Sequence, residues 1–172
     1  MAEIKDSGNR REFASGAVRD IADGKGRCDL LPLDIVAEAL DYYSGNWDKV
    51  RGSHNPLIAV YSFMESKDVN KLYHAMIGFC IHNSIDFPDM ILEVSKHFED
   101  GARKYGERNW ERGIPCHCYL DSGVRHYLKW FGDYNDERHD RAFCWNLLCL
   151  AWTLKHRPEF NDLWGDSDGD GG

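Results

Sequence analysis

The stretch FCWNLLCLAWTL, residues 143–154, constrains the fold of this 172-residue chain more than any other feature. Wound as a helix, it is apolar nearly all round, so it presents no face that suits water. A helix of this kind belongs at the centre of a core, and we predict a central helix from about residue 137 to residue 155. Asn146 lies inside the run, where its amide must find hydrogen-bond partners. It is therefore either a structural lock or part of a polar site.

Apolar residues also recur at helical spacing elsewhere in the chain. They predict a helix over 33–43, which begins after Pro32 and ends at SGNW, helical segments over 57–66 and 69–83, a long helix over 88–105 and another over 119–131. The first 25 or so residues are polar and dotted with glycine, as in loops and turns around a short element. No alternating pattern of useful length indicates a strand. The predicted fold class is all-α, with one helical bundle over residues 1–164.

The composition excludes several classes of partner. A net charge of −8 argues against a protein that binds nucleic acid as a polymer, because such binding needs a basic face. Small anionic ligands stay open, since a few local cations can hold a phosphate. No apolar run approaches the length of a membrane span, and the N-terminus lacks the apolar core of a signal peptide. We expect a soluble, cytoplasmic protein.

Cysteines and the tail raise two further metal hypotheses, and both are disfavoured. The six cysteines include no C-x-x-C pair, and the alternating CHC of residues 116–118 cannot easily converge on one ion. Reduced, mostly buried thiols are the preferred interpretation. The sequence DSDGDGG begins like a calcium-binding EF-hand loop but stops before the required glutamate. Residues 165–172 are therefore predicted to be a disordered, acidic, glycine-rich tail.

Three polar clusters are candidates for chemistry. GARKYGERNW, residues 101–110, packs cations, aromatics and an amide between two glycines, directly after Glu99. DSGVRHY places Asp121, Arg125 and His126 one helical turn apart. GDYNDERHD crowds the turn before the central helix with Asp133, Asp136, Glu137, His139 and Asp140. Asp89, Glu93, His97 and Asp100 share one face of the long helix, a pattern that is more typical of a solvated acidic stripe.

Carboxylates and histidines that project inward from several helices are how helical bundles hold divalent ions. Oxygen-rich ligand sets favour Mg²⁺ or Mn²⁺ over zinc. With lysine and arginine nearby, such a site suits the phosphates of a nucleotide. We expect Asp133, Asp136 and His139 to line one pocket with Glu99, because the turn they occupy joins two helices that pack on the long one.

The stretches FEDGARKYGERNWERGIP, DSGVRHYLKW and GDYNDERHDRAFCWN together resemble a family of viral and bacterial proteins, the MazZ-like dATP/dGTP diphosphohydrolase N-terminal domain. FASGAVRDIADGKGRCDLLP is similar to the family's opening. The likeness covers most of the chain except about 44–87, interpreted as a family-variable insertion, and the tail. It implies a helical fold of the MazG-like pyrophosphohydrolase type. The implied reaction is hydrolysis of a purine deoxynucleoside triphosphate, dATP or dGTP, to monophosphate and pyrophosphate, in the nucleotide pool of a phage or prophage.

The same resemblance implies roles for individual residues. Glu99, Asp133, Asp136 and His139 correspond to catalytic and metal-binding positions, with Mg²⁺ or Mn²⁺ as the ion. Substrate-binding positions fall on Lys104, Tyr105, Asn109, Trp110, Arg125, His126 and Asn146. For Trp110, stacking on a base and anchoring the core are equally compatible with the sequence. Lys104 and Arg125 are predicted to contact the polyphosphate.

Two departures from the family pattern keep a second class of function open. Ala142 stands where many members have a second histidine, and the paired-glutamate signature of the MazG type is absent. The alternative is a non-catalytic protein that binds and sequesters a nucleotide or a nucleotide signal. A homo-oligomer is compatible with either function.

Overall fold

The computed structural model describes residues 8–52 and 55–165. Helices dominate this part of the chain, and the predicted all-α class is confirmed. The elements are two short strands, β1 (Arg10–Glu12) and β2 (Val18–Asp20), and helices α1 (Leu33–Arg51), α2 (Pro56–Ser66), α3 (Asn70–His82), α4 (Phe87–Tyr105), α5 (Cys116–Phe131) and α6 (His139–His156). Single 3₁₀ turns occupy Cys28–Leu30, Asn109–Arg112 and Pro158–Phe160. The proposed tail, apart from Gly165, lies outside the described residues.

The prediction of a central helix is confirmed. α6 packs against α1, α3, α4 and α5, and its most extensive contact is with α5. Its apolar side chains from Phe143 to Ala151 are buried except for Trp145, which is half-buried. Asn146 is also buried, and its Nδ2 donates to the carbonyl oxygen of Ala142 at 2.8 Å. The amide therefore stabilises the helix from within.

Two local predictions were wrong. β1 and β2 form an antiparallel hairpin that the sequence did not indicate, because three exposed or half-exposed residues per strand are too few to display an alternating pattern. The first helix does not end at SGNW. It kinks at Asn46, where φ is −129° and ψ is 17°, and then continues to Arg51. The Asn46 side chain donates to the carbonyl oxygen of Tyr42 at 3.1 Å, which replaces hydrogen bonding lost at the kink.

The stretch over 44–87 contributes to the same core as the rest of the bundle. α3 is buried along most of its length and packs against α1, α2, α4 and α6. Its interpretation as a family-variable insertion stays a prediction. All six cysteines are free thiols; Cys28 and Cys118 are exposed and the other four are buried, in line with the expectation of reduced, mostly buried cysteines. Within the described ranges, no helix has the length and apolar character needed to cross a membrane.

Candidate functional site

A cavity of about 380 Å³ opens between α4, α5, α6 and the 3₁₀ turn Asn109–Arg112. This volume lies within the range of about 300–1,000 Å³ that is usual for small-molecule sites. The wall is mainly aromatic and aliphatic with a few polar groups. It is lined by Leu30, His97, Phe98, Gly101, Ala102, Tyr105, Gly106, Arg108, Asn109, Trp110, Ile114, Ser122, His126, Trp145 and Asn146.

The chain reversal after α4 shapes one side of this cavity. α4 ends at Gly106, whose φ of 91° is a conformation that favours glycine, and Arg108 adopts the left-handed region at φ 54°. The reversal returns Trp110 onto Phe98, with ring centroids 5.4 Å apart, and onto Trp152 at 4.7 Å. Only 6% of Trp110 is exposed. Trp110 is therefore a core anchor and a wall of the cavity at once.

Two indole groups of the wall have buried donors without a partner among the described residues. They are Nε1 of Trp110 and Nε1 of Trp145. A buried donor without an acceptor costs about 1–3 kcal/mol, and such groups are rare in folded proteins. Both nitrogens are shielded from solvent, so the two indoles contribute ring surface to the wall.

A cluster of two histidines and a glutamate adjoins the cavity through His126, which belongs to both. Nδ1 of His126 lies 3.0 Å from Nδ1 of His139. Oε1 of Glu137 lies 3.6 Å from the first of these nitrogens and 3.7 Å from the second. Among the residues that the structure describes, His126, Glu137 and His139 form the one group of potential ligands that lie closely enough together to hold a metal ion.

The turn between α5 and α6 brings the cluster together. His126 lies on α5, His139 is the first residue of α6, and the two helices pack side by side. Nε2 of His139 lies 2.8 Å from Oδ1 of Asp136. The other carboxylate oxygen of Asp136, Oδ2, accepts a hydrogen bond from Lys129 Nζ at 2.7 Å. A neutral His139 that donates from Nε2 presents its Nδ1 lone pair to His126, which must then donate from its own Nδ1.

Electrostatics favour neutral imidazoles on this side of the cavity. Burial, together with the positive charge of Arg141 and the neighbouring His126, lowers the pKa of His97 to about 4. Burial also lowers the pKa of His126, although Glu137 opposes the shift. The hydrogen bonds from Lys129 and His139 lower the pKa of Asp136 to about 2. At neutral pH His97 and His126 are therefore neutral, and Asp136 is ionised.

Residues 65–163 match the family described as dATP/dGTP diphosphohydrolase, N-terminal. This range contains the complete histidine–glutamate cluster and every lining residue of the cavity except Leu30. The chain belongs to this family. No curated protein and no solved structure matches it. The predicted membership of the dATP/dGTP diphosphohydrolase family is thereby confirmed, while the likeness proposed for residues 13–32 falls outside the matched range.

Most of the substrate-binding positions predicted for this diphosphohydrolase family member converge. Five of the seven line the cavity, namely Tyr105, Asn109, Trp110, His126 and Asn146. Two of the predicted metal-binding residues, Asp136 and His139, lie beside it and hydrogen-bond to each other.

Glu99 does not join them, so the predicted pocket shared by Glu99, Asp133, Asp136 and His139 is wrong as a single constellation. The Glu99 carboxylate is 7% exposed and faces the N-terminal segment. It accepts hydrogen bonds from the backbone nitrogens of Gly24 at 3.1 Å and Gly26 at 2.9 Å, and from Arg103 at 2.6 Å. Glu99 is one position along α4 from Phe98, and that rotation turns it from the cavity towards the loop.

Three further predicted residues lie elsewhere. Asp133 is exposed in the turn after α5, where its φ of 56° is a conformation that aspartate tolerates better than most residues. Arg125 pairs with Asp121 and lines a separate surface groove on the other side of α5. The exposed Lys104 lies with Nζ 5.0 Å from the Tyr105 ring centroid, outside the lining of the cavity.

The sequence interpretation passed over several residues of the site. Nothing in the acidic turn distinguishes Glu137 from its neighbours, and His97 shares a helix face that is typical of a solvated stripe although it lines the cavity. Arg108 also lines the cavity; it donates to the carbonyl oxygen of Asp29 at 2.7 Å and pairs with Glu111 at 2.5 Å. The i to i+4 relation between His97 and Gly101 was the available signal, because positions four apart lie on the same side of a helix and both residues line the cavity.

Proposed function

We propose that this protein hydrolyses a purine deoxynucleoside triphosphate, dATP or dGTP, to the monophosphate and pyrophosphate with a divalent ion, Mg²⁺ or Mn²⁺. The main support is that His126 belongs both to the lining of an aromatic cavity of about 380 Å³ and to the cluster that it forms with Glu137 and His139. Family membership supports the reaction class. In a phage or prophage, the activity would reshape the deoxynucleotide pool of the bacterial cytoplasm.

The cavity suits a purine. Trp110, Trp145 and Tyr105 offer ring surface for stacking or edge contacts with a flat base. Asn109 and Asn146 add amide groups, which supply both donors and acceptors at the same wall.

The phosphates would extend towards the cluster. Its donor set fits a divalent ion, because two imidazole nitrogens and a carboxylate oxygen lie within 4.8 Å of one another. When bound, such an ion neutralises phosphate oxygens and polarises the phosphorus–oxygen bonds. Arg108 lines the cavity and is the fixed cation placed to contact a phosphate oxygen there.

In the reaction, the oxygen of water bonds to the α-phosphorus. The bond from the α-phosphorus to the oxygen that bridges it to the β-phosphorus breaks, and pyrophosphate leaves. The chain's own contribution is to orient the base and hold the polyphosphate beside Arg108 and the cluster. The alternative of a sequestering protein is favoured by Ala142, which replaces the second histidine of many family members.

One experiment separates these functions. The pure protein is incubated with each of the four deoxynucleoside triphosphates and Mn²⁺, and the products are resolved by chromatography. We expect monophosphate and pyrophosphate from dATP or dGTP, loss of turnover in EDTA, and loss of turnover in Glu137→Gln. Glu65→Gln is the matched control, because Glu65 is an exposed glutamate on α2. Binding of the purine triphosphates without product would support sequestration, and turnover undiminished by EDTA would refute the metal-dependent reaction.

A further inference from the structure

We propose that His126, Glu137 and His139 form a preorganised site for a first-row transition-metal ion, which they bind in preference to Mg²⁺ and before any nucleotide arrives. The proposed metal preference rests on the proposed function only for its biological role. Metal binding itself can be measured without nucleotide. Of the four ligands predicted from sequence, this site retains only His139, to which it adds His126 and Glu137. Of the two predicted ions, its preference excludes Mg²⁺.

The spacing of the three ligand atoms matches a single ion. Ligands about 2.1 Å from a metal are separated by about 3.0 Å at a right angle and by about 3.4 Å at the tetrahedral angle. The two Nδ1 atoms are 3.0 Å apart, and Glu137 Oε1 lies 3.6 Å and 3.7 Å from them. Adjustments of a few tenths of an ångström therefore bring all three atoms to bonding distance.

The surroundings hold the ligands in this arrangement. The ring of His139 is buried, with 1% of its side chain exposed, and the His126 side chain is 16% exposed. Asp136 accepts from Nε2 of His139 at 2.8 Å, which leaves Nδ1 as the atom with a free lone pair. A carboxylate behind a ligating imidazole is the usual second partner in histidine metal sites. Glu137 is 47% exposed, so the site can be reached from solvent.

The ligand types decide which ion is preferred. Imidazole nitrogens suit iron, cobalt, nickel, copper and zinc, whereas Mg²⁺ prefers oxygen ligands and gives up its waters reluctantly. Two nitrogens and one carboxylate are thus a poor match for Mg²⁺ and a good match for a transition ion. Three protein ligands also leave positions for water or for a phosphate oxygen.

Binding requires one change of tautomer. In the metal-free protein, the proton between the two Nδ1 atoms belongs to His126 when His139 donates to Asp136. Coordination through both Nδ1 atoms moves that proton to Nε2 of His126, so the imidazole stays neutral. No oxidation or net proton loss is involved.

The test uses the full chain freed of metal with EDTA, with Co²⁺ and Mg²⁺ as probes and without nucleotide. Calorimetric titration should give one Co²⁺ per chain, bound at least tenfold more tightly than Mg²⁺, and visible absorption should report nitrogen and oxygen ligands. Equal affinity for the two ions, or a spectrum dominated by thiolate charge transfer, would overturn the proposal.

Variants locate the site. Glu137→Gln and His126→Gln should weaken Co²⁺ binding at least tenfold, and Asp136→Asn should weaken it about 10- to 100-fold through the imidazole that it orients. His117→Gln is the matched control: His117 is exposed, lies 3.4 Å from the Cys118 thiol and pairs with Asp162, and its replacement should change nothing. Unchanged affinity in folded Glu137→Gln would refute the site even if the enzyme turns over triphosphates. Cobalt binding in a protein without turnover would instead refute the proposed function alone.

Discussion

Replacing Glu99 with glutamine tests whether this carboxylate anchors the N-terminal segment or binds metal. It is 7% exposed and accepts hydrogen bonds from two backbone nitrogens and from Arg103. Hydrogen bonds to charged groups contribute about 1.5–3 kcal/mol each, and a glutamine keeps one acceptor oxygen. The amide nitrogen would also face the donor of one glycine. We expect the free energy of unfolding to fall by about 2–3 kcal/mol.

The assay is thermal unfolding, in which 1 kcal/mol corresponds to about 2–4 °C for a chain of this size. Glu99→Gln should therefore lower the Tm by about 4–12 °C and leave the affinity for Co²⁺ unchanged. The control is Glu107→Gln, because Glu107 pairs with Arg27 at the surface with 62% of its side chain exposed. An exposed pair of this kind contributes at most about 1 kcal/mol. An unchanged Tm together with lost metal affinity would show that Glu99 is a ligand and that our placement of the site is mistaken.

Three further predictions concern the loop, the phosphate contact and pH. Gly26→Ala should lower the Tm, because Gly26 has φ 88° and an added Cβ would meet Oγ of Ser95 at 2.0 Å; a normal Tm would contradict the close packing. Arg108→Met should weaken triphosphate binding about 10- to 100-fold and Arg125→Met should not, as calorimetry can measure; the reverse order would restore the prediction made from sequence. His97 has its pKa lowered to about 4 by burial, so its contribution to stability is complete above pH 6.5 and lost as the pH falls towards 4. Urea unfolding should show about 2 kcal/mol of loss between pH 7 and pH 5 from this residue, and His97→Gln should remove that component.

The sequence was most informative where one pattern dominates. The apolar run around Leu148 admits only a buried helix, and the aromatics of residues 101–110 are unusual for a surface loop, so both the core and the cavity wall at Trp110 were predictable. The residues of the proposed metal site were harder to predict. Asp133, Asp136 and Glu137 are adjacent in one acidic turn, and periodicity does not apply in a turn, so only the path of the backbone selects which carboxylate meets the histidines.

The position of Glu99 shows a different limit. Its partners, Gly24 and Gly26, precede it by more than 70 residues, and they donate from backbone N–H groups, which every residue except proline possesses. A carboxylate that accepts hydrogen bonds from the main chain cannot be recognised from the residue types of its partners. A resemblance that marks the position as functional therefore fits a structural anchor equally well.

The N-terminal segment anchored by Glu99 also contributes to the cavity. Leu30 lines the cavity, and Arg108 donates to the carbonyl oxygen of Asp29, yet both contacts come from residues before the matched range of 65–163. Part of the cavity wall is thus supplied by a segment outside the matched range, which Glu99 ties to α4. A change of sequence in this segment would change the shape of the cavity without replacing any residue of the histidine–glutamate cluster.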